Sequence, residues 1–167
     1  PHCSVRRQRQ MCIRDSSTRT RISFGSAFNM LGGEVRETTE IEATSLAKGE
    51  SLYDTSRVLS GYSDVIVMRH PLAGSVAEFA EASRVPVING GDGDNEHPSQ
   101  ALLDLFTIKK ELESHNKKLD TVRIALIGDL KFGRAAHSLC KILMLYTNIS
   151  IKLVSPDKLR LPDFLIN

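Results

Sequence analysis

Ser17, Thr18, Arg19, Thr20 and Arg21 crowd the start of a segment in which Ile22, Phe24, Ala27, Phe28 and Leu31 recur at helical spacing. One hydroxyl is enough to cap a helix. The surplus hydroxyl and guanidinium groups, set on the free N–H groups and positive dipole end of a first turn, suit an anion and above all a phosphate. An ordinary Ser/Thr cap beside solvated arginines would account for the same residues without any ligand. Two further polar stretches stand where a strand gives way to a loop. Arg69-His70-Pro71 follows the apolar run "DVIVM" (64–68), and His97-Pro98-Ser99-Gln100 follows the glycine-rich "GGDGDNE". An imidazole is a mediocre helix cap, so His97 at that place hints at another role, and Gln100 faces the same way one turn on. Ser45 and Lys48 lie in "TEIEATSLAKGE" (39–50), which has neither helix nor strand period. Each of these also reads as plain surface. Taken together they propose an anion site with an arginine, a histidine and a glutamine near it, a set suited to stabilising a negative oxygen in a transfer reaction. Spacing alone names no substrate.

Such groups converge only if the elements between them form one kind of sheet. The pattern predicts a helix over 18–31 closed by Gly32 and Gly33, and a short strand over 33–38. A second helix follows, with Leu52, Thr55, Leu59 and Tyr62 inward, and then a doubly buried strand at 64–68. A short helix over 75–83 turns Val76, Phe79 and Ala80 inward, and "VPVIN" (85–89) is another buried strand. Pro98 opens a helix whose inner side is Leu102, Leu105, Phe106 and Ile108. The polar "ESHNKKLD" (113–120) reads as a linker, after which the pattern restarts with a strand at 122–128, a helix at 134–146 and a strand at 150–154. Alternating strands and helices predict an α/β fold: a parallel sheet with helices on both faces, then the start of a second α/β domain. Ligands of such sheets bind at the carboxyl ends of the strands, where the three polar stretches fall.

Charge and cysteine usage narrow the classes. The formal net charge of +2 conceals a basic start: residues 1–16 hold four arginines and one aspartate, leaving 18 basic and 19 acidic side chains for the rest. No basic face runs through the body, so a nucleic-acid partner is not expected. Residues 1–16, "PHCSVRRQRQMCIRDS", show no clean period and no apolar signal-peptide core, and read as an unrelated or disordered leader outside the fold. Cys3 and Cys12 fall within it. Cys140 then stands alone on an apolar helix face, which gives no disulfide framework and no metal cluster. No apolar run reaches membrane-spanning length. "GDLKFGR" lacks the glycine spacing of a dinucleotide or P-loop site, and there is no nucleophile elbow. A cytoplasmic enzyme or binding protein is expected.

"STRTR", "VMRHP", "GDGDNEHPSQALLDLFTI" and "GDLKFGR" occur in the order and spacing of the aspartate carbamoyltransferase catalytic chains, and from residue 17 onward the sequence resembles that family. The sister ornithine carbamoyltransferases share Ser-Thr-Arg-Thr-Arg. They do not usually follow the later arginine with His-Pro, nor open their second domain with Gly-Asp-Leu-Lys. The resemblance implies carbamoyl transfer from carbamoyl phosphate to L-aspartate, without metal or organic cofactor. It implies a carbamoyl phosphate-binding domain over 17–116 and an incomplete aspartate-binding domain over 117–167. Ser17, Thr18, Arg19 and Thr20 would cradle the phosphate, while Arg69, His97 and Gln100 would hold the carbamoyl group. Arg134 would grip aspartate. Ser45 and Lys48 would serve a neighbouring subunit's site, Lys48 also reaching aspartate, which implies a homotrimer, with a regulatory chain as a possible partner. Arg19, Thr20, Arg69 and His97 would carry the chemistry, His97 as a neutral donor because nearby arginines disfavour its protonation. The family has an apolar strand ending in a Phe-Phe-Glu type turn where this chain has "RQMCIRDS", and further residues beyond position 167. The sequence therefore reads as a fragment with doubtful activity by itself. An ornithine-type acceptor and a non-catalytic phosphate-binding domain are the competing expectations.

Overall fold

The computed structural model describes residues 9–15, 17–38 and 49–165. Its first strand, β1 (Gln10–Arg14), lies inside the stretch expected to be a leader. That expectation is corrected for these residues. β1 pairs in parallel with β2 (Glu34–Thr38) on one side and β3 (Val65–His70) on the other, and β3 pairs in parallel with β4 (Val87–Asp92). The sheet order is β2-β1-β3-β4. The strand escapes a reading of the residues because "QMCIR" ends in a charge and is flanked by more, which hides its three-residue apolar run. Met11, Cys12 and Ile13 are nonetheless buried.

Alternation along β1 feeds two cores. Met11 and Ile13 join Val67 beneath Phe24 and Phe28 of α1 (Thr18–Met30). Cys12 points the other way and joins Ile66, Met68, Val76 and Phe79, with Leu52 and Leu59 against them. Those last residues come from α2 (Leu52–Leu59) and α3 (Ser75–Ala82). Helices therefore cover both faces of the sheet, as expected. Two positions differ from the sequence reading. Tyr62 lies past the end of α2 and is 64% exposed, while Ser56 is fully buried and its hydroxyl donates to the Phe79 carbonyl at 2.7 Å. Ala80 is exposed, and Ala82 takes the inward place. Burial of Phe79 stabilises this unit by about 2–3 kcal/mol.

The chain divides into two compact units, Pro1–Asp92 and Gly93–Asn167. The polar stretch 113–120, read as a linker, lies within the second of these units. α4 (Pro98–Ser114) lies in the second unit because Ala101, Leu105 and Ile108 pack with Leu139 and Leu143 of α5 (Arg134–Leu143). Leu102 and Phe106, expected inward, are exposed. Ile124 and Ile151 join this core from β5 (Arg123–Ile127) and β6 (Ser150–Val154), a parallel pair. Leu130, Cys140, Leu161 and Leu165 make a second cluster in this unit. Among the described residues no helix is long and apolar enough to cross a membrane.

β1 carries one residue at odds with its setting. Arg14 is only 5% exposed, and neither terminal nitrogen of its guanidinium has a hydrogen-bond partner among the described residues. Burial holds its pKa below the ordinary arginine range. A buried cation without a hydrogen-bond partner costs several kcal/mol against an apolar side chain of similar size, and the nearby Glu50 charge offsets only part of that cost. Arg14→Met should therefore raise the midpoint of thermal unfolding, corresponding to a gain of about 1–3 kcal/mol; a lowered midpoint would show that the guanidinium is satisfied in solution.

Candidate functional site

In the order β2-β1-β3-β4 the chain steps from β1 outward to β2, then returns to β3 on β1's other side. The crevice beyond the carboxyl ends of β1 and β3 is the topological switch point, where open parallel sheets place ligands. Ser17 follows β1 as the N-cap of α1, and Arg69 is the penultimate residue of β3. Both motifs thus reach the same edge of the sheet.

The α1 end carries no side-chain cap of its own. Ser17 makes no side-chain capping bond, and the first turn contains no acidic residue. The Ser17 N–H donates instead to Asp15 Oδ1 at 2.6 Å, which fixes the entry of the chain. Thr18 and Arg19 are exposed, while Thr20 is buried. Arg21 is engaged elsewhere, its guanidinium pairing with Glu37 of β2 at 3.5 Å. Part of the crowding at this helix end is therefore structural.

Arg69 is aimed by a bulge. Met68 pairs with Asn89 and His70 with Asp92, so β4 uses one residue more than β3 across this step. An extra residue of this kind bends its strand and redirects side chains, often beside active sites. Gly90 and Gly91 fill the step opposite Arg69. A Cβ at Gly90 would lie 3.3 Å from the Thr20 methyl, and one at Gly91 3.4 Å from the Arg69 side chain. Gly91 also has φ +134°, a conformation other residues rarely adopt. Beside these glycines an Arg69 nitrogen lies 3.5 Å from Thr20 Oγ1. The sequence marks this stretch as a glycine-rich loop; the two glycines instead belong to β4.

Asp92 ends the same strand, and its carboxylate accepts the N–H groups of Gly74 and Val76 at the start of α3. Gly74 has no side chain to cap that helix, so a residue 18 positions away does so. His70 accepts the Leu72 N–H at Nδ1 (3.1 Å). Burial presses its pKa below the ordinary 6.5, and the nearby Arg14 charge adds to this.

The second unit contains His97, Gln100 and Arg134. His97 is the N-cap of α4 with Pro98 in the first turn, as expected. Its main-chain N–H donates to Ser138 Oγ at 3.0 Å, and its ring Nδ1 lies 3.3 Å from Ser99 Oγ. Gln100 donates to Asp104 one turn on, at 2.9 Å. Arg134 is the first residue of α5, and its guanidinium donates to the Gly93 carbonyl. A cation at this end works against the helix dipole, and α5 has no acidic residue in its first turn, so the end is suited to a carboxylate. The preceding turn is tied by Asp129, whose Oδ1 accepts the Lys131 and Phe132 N–H groups, both at 3.0 Å. Ser138 carries no signal in the sequence, because 41 residues separate it from His97. Ser45 and Lys48 lie outside the described residues.

Comparison with known proteins bears on both units. The family model described as aspartate/ornithine carbamoyltransferase, carbamoyl-P binding domain, matches residues 6–110. The aspartate carbamoyltransferase catalytic subunit of Cellvibrio japonicus is 70% identical over 91% of this chain and 45% of its own length. A Trypanosoma cruzi aspartate transcarbamoylase, solved with N-(phosphonacetyl)-L-aspartic acid, superposes with a TM-score of 0.85 at 45% identity, over 95% of this chain and 50% of that one. The same protein with carbamoyl phosphate and aspartate gives 0.82 at 45% identity, over 95% and 52%. The chain thus spans about half the length of the relatives it matches. By sequence and by fold, the chain belongs to the aspartate/ornithine carbamoyltransferase family.

Proposed function

We propose that this chain supplies the carbamoyl phosphate-binding part of an aspartate carbamoyltransferase, which moves a carbamoyl group from carbamoyl phosphate to L-aspartate in pyrimidine biosynthesis. The observation that carries the reading is the approach of Arg69 to Thr20 at the open end of α1. Two motifs 49 residues apart meet there, at the switch point of the sheet. Relatives of this fold have been solved with carbamoyl phosphate and aspartate, which supports the same choice of ligands here.

In this reading Ser17, Thr18, Arg19 and Thr20 take the phosphate with the N–H groups of α1, and Gln100 helps to hold the carbamoyl group. The aspartate amine attacks the carbamoyl carbon, and negative charge builds on the carbamoyl oxygen. Arg69, His97 and Thr20 donate to that oxygen, each such donor typically being worth about 3–4 kcal/mol of barrier. Once the new C–N bond has formed, the bond from the carbamoyl carbon to the phosphate oxygen breaks and the electron pair leaves with phosphate, steadied by Arg19. The amine loses a proton to solvent or to the departing phosphate. Arg134 and Lys48 bind the aspartate carboxylates. Ser45 and Lys48 come from a neighbouring subunit of a homotrimer that works in the cytoplasm and can accept a regulatory chain. No cofactor takes part.

The reading is tested on a polypeptide of the relatives' length, given labelled carbamoyl phosphate with aspartate, with ornithine, or with no acceptor. Label should pass to aspartate alone; transfer to ornithine, or none with either amine, would overturn it. Arg19→Ala should lower kcat/KM for carbamoyl phosphate by about 100-fold or more, with unchanged circular dichroism. Near-normal saturation by carbamoyl phosphate would return Arg19 to the solvated surface. The shared site has its own test. Lys48→Ala and His97→Ala are each expected to be inactive, but mixing them under subunit exchange should restore activity well above either parent. Absence of rescue, with exchange confirmed, would mean that one chain provides both residues.

A further inference from the structure

Arg134, Ser138 and Lys141 stand at i, i+4 and i+7 on α5, and so share one face of the helix. All three reach the same short segment that leads into α4. Arg134 donates to the Gly93 carbonyl, Lys141 pairs with Glu96, and Ser138 Oγ accepts the His97 N–H at 3.0 Å. The segment holds Gly93 and Asp94, which give it no apolar anchor, and its first helical residue, Pro98, has no N–H to fasten it. Within this unit α5 thus supplies the acceptor for the His97 N–H, while the His97 carbonyl is bound into the first turn of α4 by the Gln100 and Ala101 N–H groups.

We propose that Ser138 and Lys141 are positioning residues that set the place of His97 from the neighbouring helix. Ser138 is 4% exposed, so its bond is shielded from water and carries the larger share. The Lys141–Glu96 pair is half exposed, with side chains 46% and 33% accessible, so its share is smaller and salt-sensitive. What His97 does from that place rests on the carbamoyl-transfer reading. That it is held there can be tested without any turnover.

The test is amide hydrogen exchange of His97 in the 167-residue chain, with Leu105 and Leu143 as reporters of the surrounding core. Ser138→Ala should speed His97 exchange by about three- to tenfold, as expected for loss of one shielded hydrogen bond. Lys141→Met should speed it about two- to fivefold. Both reporters should stay at their wild-type rates. Lys141→Arg should behave as wild type, and pairing Lys141→Glu with Glu96→Lys should restore protection lost in either alone. Raising salt should speed His97 exchange in the wild-type chain but not in Lys141→Met. This salt titration also decides the matter if Lys141→Met does not fold. Unchanged His97 exchange in both variants would overturn the proposal. So would equal acceleration at Leu105 and Leu143, which would mean general loosening, and so would a wild-type His97 rate indifferent to salt. Absence of carbamoyl transfer with these exchange results intact would overturn only the reading of the reaction.

Discussion

The pairing of β1 with strands on both of its sides is the constraint on which the first unit depends. A strand so placed presents side chains to two helical layers, and every residue of Met11–Ile13 is used that way. Because β2 and β3 lie on opposite sides of it, the chain must reverse direction across the sheet at β1. That reversal leaves a crevice at the carboxyl edge, with the N-terminus of α1 beside the end of β3. No separate device is needed to bring the N-terminal end of α1 and Arg69 together.

Closeness of elements does not by itself aim a side chain. The step between Met68 and His70 does so, by opposing Arg69 with two glycines on β4. Gly90 leaves room for the Thr20 methyl, and Gly91 takes the positive φ of the step beside the Arg69 side chain. Asp92, next along, is spent on the start of α3, which keeps a carboxylate engaged by N–H groups at an edge whose proposed ligand is an anion. In the second unit the order is inverted: His97 and Arg134 are held by main-chain and side-chain bonds between α5 and one short segment, rather than by a sheet edge.

How much of this can be read from the residues follows from the range of the forces involved. "DVIVM" announces β3 because a strand buried on both faces needs a continuous apolar run, and Pro98 announces α4 through its fixed φ. The motif "STRTR" is visible because its residue types exceed what a cap requires. β1 is not, since its apolar core is three residues long amid arginines and no local pattern marks a central strand. Periodicity places Leu102 and Phe106 inward, yet the packed face of α4 is set by small Ala101 meeting α5. The bulge, the cap from Asp92 and the bond from His97 to Ser138 depend on partners distant in sequence. Nothing nearby encodes them.

If the crevice at the ends of β1 and β3 binds the phosphoryl end of carbamoyl phosphate, the backbone amides around it must sense the anion. Their resonances can be followed while carbamoyl phosphate, and separately inorganic phosphate, is titrated into the protein. Saturable shifts are expected at Ser17, Thr18, Arg19, Thr20, Arg69, Gly90 and Gly91 with both anions, with larger changes at Arg69 when the carbamoyl group is present. Shifts confined to other surfaces, or none at millimolar ligand, would contradict binding at this crevice.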